Sequence, residues 1–248
     1  MSEKDDQRLY KDLAWTWPVI SPPSHYVEET EFFTTLIKKY SKTKVENLLH
    51  IGCGGGHNDY TFKKYFNITG VDINNSMLEL ARKLNPEVTY LNGDMRTVRC
   101  NTLFDAVVIL DSIGYMTTTR DLEKAFQTAY THLKRGGVFL TLVEALPEKF
   151  IQNRTECRIC SEDDTEIVFM ENYYDPDPSD TTYECTFVYL IRHHGNLEIH
   201  TDHHICGVFG LETWLNLLNG TGFEVIQEKF ENSNSEEGEY PLLICIKV

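Results

Sequence analysis

Residues 47–57 read NLLHIGCGGGH, a short apolar run that ends directly in a series of glycines. The apolar run predicts a buried strand, and the glycines let the backbone turn sharply and approach a ligand closely. A helix is predicted at 59–65, immediately after the glycines. The first N–H groups of a helix have no partner inside it, so they remain available to a ligand. This stretch therefore predicts a strand, a ligand-binding turn and a helix in succession.

An acidic residue at the end of the next predicted strand completes the pattern. Asp72 ends the strand predicted at 68–73 and lies 18 residues after Gly54. A carboxylate at that place can accept hydrogen bonds from both hydroxyls of a ribose. A nicotinamide dinucleotide is the alternative ligand, but His57 stands where such loops carry their third glycine. The pattern therefore favours a nucleoside that has no phosphate to bind.

A second acid, Asp94, follows the strand predicted at 88–91. In a doubly wound sheet the carboxyl ends of neighbouring strands line one crevice, so Asp94 is expected near Asp72. Its carboxylate could accept from an adenine amino group. Met95 could pack on the ring, and Ile73 offers a further apolar wall for a flat base.

Predicted strands and helices alternate through the first 145 residues. The strands are predicted at 47–51, 68–73, 88–91, 104–110 and 137–143, and the helices at 28–40, 59–65, 76–84 and 121–133. The Trp- and Pro-containing segment 15–26 is predicted to be extended. Apolar strands separated by helices predict a parallel sheet that is buried on both faces.

The pattern changes after Glu144. Residues 157–209 are rich in Thr, Val, Tyr and Phe and contain turn signals, which predicts antiparallel hairpins. A helix at 211–218 and strands at 224–230 and 242–248, around an acidic loop, follow. The predicted fold class is α/β: a Rossmann-like, doubly wound, mostly parallel seven-stranded sheet with an antiparallel β insertion after the fifth strand. One domain is expected, divided into an N-terminal lid and helix (1–44), a cofactor-binding core (45–145), an antiparallel cap (146–209) and a C-terminal helix with edge strands (210–248).

Composition narrows the class of partner. The 248 residues carry 38 acidic and 23 basic side chains, a net charge of -15, whereas nucleic-acid binders need a basic face for phosphates. A small-molecule substrate and no nucleic acid are therefore expected. No apolar run approaches the roughly 20 residues of a membrane helix, so no membrane partner is expected. An odd number of cysteines, seven, at irregular spacing favours free thiols and a cytoplasmic location.

Three segments, IGCGGG (51–56), GVDINNSMLELARKLNP (70–86) and LNGDM (91–95), together resemble the class I S-adenosylmethionine-dependent methyltransferases. The resemblance covers about 45–145. It implies S-adenosyl-L-methionine as cofactor, with S-adenosyl-L-homocysteine as product. The cofactor-binding residues expected are Tyr26, Gly52, Cys53, Gly54, Asp72, Ile73, Met77, Asp94, Met95 and Leu110.

Segments 85–98 and 104–116 are similar to the amino-sugar N-methyltransferases, which dimethylate dTDP-linked aminodeoxysugars. His200, His204 and Phe209 fit the HxxxHxxxxF pattern of those enzymes. Two departures are that His50 replaces the usual acid of the first strand and Tyr115 replaces a histidine. The resemblance implies methyl transfer to a small-molecule amine. An oxygen or carboxylate acceptor, and a non-catalytic nucleoside-binding module, remain alternatives.

The catalytic residues expected are Tyr115, His204 and Tyr10. His204 is the predicted base, because the pKa of an unperturbed histidine lies near neutrality. Tyr10, Trp15 and Tyr26 are expected to form an N-terminal lid that, with Tyr115 and His204, walls the acceptor pocket. A homodimer through the inserted strands is expected to be possible.

No metal site is predicted. Cys157 and Cys160 form a single CxxC pair, and no second such pair accompanies the three nearby histidines, His200, His203 and His204.

Overall fold

The computed structural model describes residues 6–231 and 239–248, and the strands of this part of the chain form two sheets. The strands are β1 (Asn47–Ile51), β2 (Asn67–Asp72), β3 (Thr89–Asn92), β4 (Phe104–Ile109), β5 (Leu133–Leu142), β6 (Arg154–Glu162), β7 (Thr165–Tyr174), β8 (Thr182–His193), β9 (Asn196–Gly207), β10 (Phe223–Glu231) and β11 (Glu239–Lys247). The helices are α1 (Trp17–Ile20), α2 (Val27–Tyr40), α3 (Asp59–Phe62), α4 (Asn75–Leu84), α5 (Thr119–His132) and α6 (Leu211–Thr221).

The larger sheet has seven strands in the order β10-β11-β5-β4-β1-β2-β3. Within the run β5-β4-β1-β2-β3 each strand is parallel to its neighbours, whereas β11 runs antiparallel to both β5 and β10. Because the strand order reverses beside β1, the carboxyl ends of β1 and β4 meet at the point where ligands bind in open α/β sheets. The predicted α/β, doubly wound fold is confirmed.

Helices cover both faces of this sheet, which explains why its central strands are apolar on both sides. On one face α2 and α3 pack Phe33, Leu36, Ile37 and Phe62 against alternate residues of β1, β4 and β5. On the other, α5 and α6 pack Phe126, Ala129, Trp214 and Leu218 against the intervening residues. All six residues of β4 are buried.

The insertion forms a separate four-stranded antiparallel sheet in the order β6-β7-β8-β9. In β8 every second residue from Tyr183 to Ile191 is buried, as expected for a sheet that is covered on one face. That face packs against Leu9, Leu13 and Ile20 of the N-terminal segment. The predicted switch to antiparallel hairpins after β5 is therefore confirmed.

The N-terminal segment was the least successful prediction. Residues 15–26 are not extended but form short helical turns at Ala14–Thr16, Trp17–Ile20 and Pro23–Tyr26. Prolines are compatible with these turns because Pro18 and Pro23 stand at the beginning of a turn, where a helix needs no N–H donor. The fifth strand begins at Leu133, earlier than predicted, and the acidic loop before the last strand lies outside the described residues. Within the described ranges, none of the helices combines the length and apolar character needed to cross a bilayer.

Candidate active site

A cavity of about 480 Å³ lies at the carboxyl ends of the parallel strands. Residues on or just after each of the strands β1 to β5 line its wall, and the N-terminal segment and the inserted sheet close it from the other side. The wall of the cavity includes Tyr10, Trp17, Tyr26, His50, Gly52, Gly54, His57, Asp72, Ile73, Asp94, Asp111, Ser112, Tyr115, Glu144 and Glu171. The cavity therefore coincides with the crevice that the sequence predicts.

The glycine loop after β1 needs its glycines for two reasons. Gly52 and Gly54 have φ angles of 71° and 51°, in the left-handed region that favours glycine. A Cβ atom on Gly52 would also lie 1.9 Å from Oγ of Ser112. Because Gly52 has no side chain, the loop backbone can lie close to both the cavity and the residues that follow β4.

Asp72 holds the loop and faces the cavity at the same time. Its Oδ2 accepts a hydrogen bond from the N–H of Gly54 (2.9 Å) and its Oδ1 from the N–H of Asn74 (2.8 Å). Burial raises the pKa of this carboxyl, and the two N–H donors partly offset that effect. Each oxygen keeps lone pairs for further donors, such as ribose hydroxyls.

Apolar residues continue the wall beside Asp72. Ile73 is 57% exposed, an unusual position for a large aliphatic side chain, and it lines the cavity with Met77, Met95 and Leu110. On the opposite side, Oγ of Ser112 and Nδ1 of His57 are buried without a hydrogen-bond partner among the described residues. Together, the two acceptor oxygens of Asp72, the apolar slot and the unpartnered polar atoms fit an adenine nucleoside with a polar tail.

The structure gives Asp94 a partner that the sequence analysis did not predict. Both of its oxygens accept hydrogen bonds from the guanidinium of Arg96, the shortest at 2.6 Å. These bonds lower the pKa of Asp94. The residue lines the cavity, as predicted, and its contact with an adenine amino group stays a prediction.

His50, the departure noted in the first strand, is half of a buried pair. Its Nδ1 lies 2.8 Å from Oδ1 of Asp59, and the hydroxyl of Tyr90 donates to Oδ2 of the same carboxylate (2.9 Å). Because Asp59 accepts from Nδ1, the other ring nitrogen of His50 is the one left to meet a ligand in the cavity that His50 lines.

Aromatic residues of the N-terminal segment cover the glycine loop. Trp17 stacks on the ring of His57, with centroids 6.1 Å apart and planes 5° apart, and Tyr26 lies 5.4 Å from the same ring. Burial lowers the pKa of His57 to about 4, so its ring is neutral at neutral pH. The prediction that Trp15 belongs to the lid is wrong, because Trp15 points outward and Trp17 takes its place.

The three predicted catalytic residues form one continuous chain of hydrogen bonds. The hydroxyl oxygens of Tyr10 and Tyr115 are 2.7 Å apart, and Tyr115 lies 2.7 Å from Nδ1 of His204. On the far side, Nε2 of His204 lies 2.7 Å from Oδ2 of Asp202. We call these four residues the relay.

The direction of each hydrogen bond in the relay can be assigned by starting from Asp202, the buried end of the relay. Hydrogen bonds from His204 and from two backbone N–H groups outweigh the effect of burial and hold the pKa of Asp202 below its usual value. Asp202 is therefore an acceptor, Nε2 of His204 donates to it, and Nδ1 accepts from Tyr115. The single proton of the Tyr115 hydroxyl is then donated to His204, so the hydroxyl of Tyr10 donates to the oxygen of Tyr115. The Tyr10 oxygen keeps its lone pairs free toward the cavity.

His204 does not wall the pocket, contrary to the prediction. Its side chain is fully buried, because it is one of the residues of β9 that alternate toward the covered face of the inserted sheet. Tyr115, to which it is hydrogen-bonded, lines the cavity instead. Burial raises the pKa of both tyrosines well above the usual value, so their hydroxyls stay protonated and can pass protons without becoming anions.

Three carboxyl groups, those of Asp111, Glu144 and Glu171, line the same cavity as Tyr10 and Tyr115. They also line a neighbouring pocket together with Glu29. Burial, and secondly the charge of Asp111, raises the pKa of Glu29 to about 8, and burial also raises the pKa of the other three. These raised pKa values favour the neutral carboxyls, so a cation in this region would favour their ionisation and pair with them, whereas an anion would oppose it.

Sequence reasoning missed most of these acids. Asp111 and Glu144 directly follow β4 and β5, so the strand-end rule that identified Asp72 could have found them. Glu171 and Asp202 lie on strands of the insertion, and no motif marks them. Across the described residues, no three His, Cys, Asp or Glu side chains come together as potential metal ligands.

Comparison with known proteins agrees with this geometry. Residues 48–137 match the family model described as a methyltransferase domain. The dTDP-3-amino-3,4,6-trideoxy-alpha-D-glucopyranose N,N-dimethyltransferase of Streptomyces venezuelae is 33% identical over 127 residues, which is 50% of this chain and 53% of that protein. The matched stretch thus spans about half the length of that relative.

Two solved structures share the whole fold. DesVI of Streptomyces venezuelae superposes with a TM-score of 0.82 at 23% identity, over 99% of this chain and 100% of that chain. CalS10 of Micromonospora echinaspora, an amino pentose methyltransferase solved with S-adenosylmethionine bound, gives 0.79 at 21% identity and covers 100% of both chains. At these identities the likeness concerns the fold. The predicted methyltransferase domain is thus confirmed for residues 48–137, and solved methyltransferases share the fold of the whole chain.

Proposed function

We propose that this protein transfers a methyl group from S-adenosylmethionine to an amine nitrogen of a small molecule that resembles an amino sugar. The glycine loop, Asp72 and the slot formed by Ile73, Met77, Met95 and Leu110 would hold the cofactor's nucleoside. When bound, the cofactor supplies an activated methyl group, so the protein mainly has to align the acceptor and manage its proton.

The observation that carries the proposal is the relay, which ends in the cavity at a free acceptor. An amine that becomes methylated must lose a proton, and the oxygen of Tyr10 can accept one. As Tyr10 takes a proton from the nitrogen, its own proton passes to Tyr115, and the proton of Tyr115 passes to Nδ1 of His204. The result is an imidazolium beside the Asp202 carboxylate, which stabilises the positive charge.

The carboxyl groups that share the cavity with Tyr10 and Tyr115 favour an amine over the alternatives. An acceptor that arrives as an ammonium ion would favour the ionised forms of Asp111, Glu144 and Glu171 and pair with them, whereas a carboxylate acceptor would oppose their ionisation. The first acceptors to test are therefore amino sugars. The two dimethyltransferase-like sequence segments and the amino-sugar substrate of the relative from Streptomyces venezuelae support the same choice.

The test is a pH–rate profile on an amine substrate for wild type, His204→Asn, Tyr115→Phe and Tyr10→Phe. Loss of the base should lower turnover by about 10²–10⁴-fold and flatten the profile near neutrality. The matched control is His203→Asn, because His203 is the next residue on β9 and its side chain contacts Glu184 rather than the relay.

Two outcomes would contradict the proposal in different ways. If all three relay variants keep the wild-type rate and profile, the amine loses its proton in solution and the relay only shapes the cavity. If S-adenosylhomocysteine binds but no amine, alcohol or carboxylate is methylated, the non-catalytic alternative is correct.

We also propose the finer organisation predicted from the sequence. The lid (1–44), core (45–145), cap (146–209) and C-terminal part (210–248) form one domain that works in the cytoplasm, where its free cysteines would stay reduced. Exposed Ile159 and Ile199 on the inserted sheet support pairing of two copies through these strands.

A further inference from the structure

Asp202 receives four hydrogen bonds from two different parts of the molecule. Its Oδ1 accepts from the N–H groups of Arg8 (2.8 Å) and His203 (2.9 Å). Its Oδ2 accepts from the N–H of Leu9 (2.6 Å) and from Nε2 of His204 (2.7 Å). The side chain is almost fully buried, so in this arrangement water cannot replace a lost donor.

The segment held by Asp202 is the one that carries Tyr10. Arg8, Leu9 and Tyr10 form one short helical turn, and its first two N–H groups are those that Asp202 accepts. The guanidinium of Arg8 also donates to the carbonyl of Thr201 (3.2 Å), and the N–H of Asp6 donates to the carbonyl of His203 (3.0 Å). The N-terminal segment is therefore docked along β9, beside the relay.

We propose that Asp202 is a positioning residue that couples the docking of residues 6–20 to the state of His204. The catalytic purpose of this coupling rests on the proposed function, whereas the coupling itself does not. In the docked form, two N–H donors help to keep Asp202 ionised. The ionised carboxylate holds the proton of His204 on Nε2, which turns the lone pair of Nδ1 toward Tyr115.

When the segment leaves, the relay loses both of its ends. Tyr10 departs with the segment, and Asp202 exchanges two fixed N–H donors for mobile water, so that only His203 and His204 still orient its carboxylate. The proton of His204 is then no longer held on Nε2. The base is therefore ready to accept a proton only while the segment encloses the cavity.

The test perturbs the segment and measures His204. Proline at position 8 removes one N–H donor and also disfavours the left-handed backbone of Gln7 before it, so it weakens the docking of the turn in two ways. Arg8→Ala loses the same side chain but keeps the N–H, and is the matched control. Two measurements are made on each protein without substrate: amide hydrogen exchange of residues 6–20, and the ¹⁵N NMR signals of the His204 ring, assigned with His204→Asn.

In wild type we expect the Nε2–H form of His204 and slow exchange at Arg8 and Leu9. Arg8→Pro should speed exchange across residues 6–20 by at least about tenfold and convert His204 to a mixture of tautomers. Arg8→Ala loses only the exposed contacts of the guanidinium, so it should speed exchange far less and leave His204 in the Nε2–H form. Asp202→Asn, which has one acceptor oxygen for four donors, should produce both changes.

Arg8→Pro that frees the segment but leaves His204 in the Nε2–H form would overturn the coupling, since Asp202 would then be only an anchor. The same holds if Asp202→Asn folds and the segment stays protected. Neither result depends on turnover, so a failure of the coupling is distinct from a failure of the methyl-transfer proposal.

Discussion

Asp72 has two separate tasks, because its carboxylate both fixes the glycine loop and meets the cavity. In the proposed function this carboxylate accepts from two ribose hydroxyls, and alanine removes that acceptor. We predict that Asp72→Ala weakens S-adenosylhomocysteine binding by roughly 1.5–3 kcal/mol, the range for a hydrogen bond to a charged group. Isothermal titration calorimetry measures this directly.

Asp105 provides the matched control for that measurement. It is also a buried aspartate that accepts backbone N–H groups, from Glu46 and Asn47, but it lies at the opposite end of the sheet. Asp105→Ala should lower stability and leave the affinity unchanged. Equal affinity in folded Asp72→Ala and wild type would mean that the nucleoside is held elsewhere.

His57 makes stability depend on pH. Its pKa is about 4 in the folded protein because of burial, against 6.5 in the unfolded chain, so the unfolded state binds more protons between these values. The stability contributed by the neutral ring is present above pH 6.5 and is lost as pH falls through about 4, a change of about 3 kcal/mol.

We therefore predict that the free energy of unfolding of His57→Gln falls less than that of wild type between pH 7 and pH 4. Urea denaturation at several pH values measures the difference. The same substitution at exposed His25 should leave the wild-type dependence unchanged. A parallel fall in wild type and His57→Gln would show that the ring is not held neutral.

The identity of single residues was predictable where a strand end or a motif marked them. Asp72, Asp94, Tyr10, Tyr115 and His204 were predicted and line the cavity or form the relay. Partners supplied by distant parts of the chain were not predictable, since nothing local in the sequence links Asp202 to Arg8 or Asp59 to His50. The choice between Trp15 and Trp17 depended on the path of a helical turn that the sequence analysis took to be extended.

The glycine loop is the element with the least tolerance for change. At Gly52 a methyl group would meet both a left-handed φ and the side chain of Ser112, with Oγ at 1.9 Å and Cβ at 2.5 Å. We predict that Gly52→Ala lowers the free energy of unfolding by about 2–4 kcal/mol, from backbone strain together with the clash. Chemical denaturation is the measurement.

Gly210 is the control for this substitution. Its φ is -60° and a Cβ there would meet no heavy atom within 4 Å, so Gly210→Ala should change stability by about 0.5 kcal/mol or less. The double variant Gly52→Ala, Ser112→Gly should recover the part of the loss that comes from the clash. No recovery would assign the whole loss to the backbone.

At the level of elements, the sequence predicted the long helices and all core strands. The helices showed a clear period of apolar residues, and the central strands were short apolar runs, as in β4, where every residue is buried. Errors were confined to ends and short turns. Strand β5 starts at Leu133 because the chain passes from α5 into the strand without a loop, and Gly136 lies within the strand rather than before it.

The molecule as a whole should respond to its cofactor by mass action. At S-adenosylhomocysteine concentrations of about 100 times Kd, the folded state gains about 2.7 kcal/mol. For a chain of this size that corresponds to a rise in Tm of roughly 5–10 °C. NAD should cause no comparable rise, because His57 and its stacked Trp17 occupy the place where a dinucleotide loop approaches its pyrophosphate.

Differential scanning fluorimetry with both compounds tests this prediction, and Asp72→Ala supplies the control, since its response should be smaller. A larger shift with NAD than with S-adenosylhomocysteine would contradict the nucleoside assignment. At this scale the architecture was predictable, because alternating strands and helices allow few topologies. The way in which the inserted sheet and the N-terminal segment meet was not, because it depends on side-chain packing between residues far apart in the sequence.

That meeting has a consequence for how the protein is made. The hydrogen bond from Arg8 to Asp202 joins residues separated by 194 positions. Ribosomes add roughly 5–20 residues per second, so about 10–40 s separate the synthesis of these two residues. Throughout that time the segment around Arg8 lacks the strand on which it docks, and Leu9 and Leu13 remain without the apolar face that covers them later. These residues are synthesised well before their docking site, so they are exposed to chaperones that bind short apolar segments until β9 has formed.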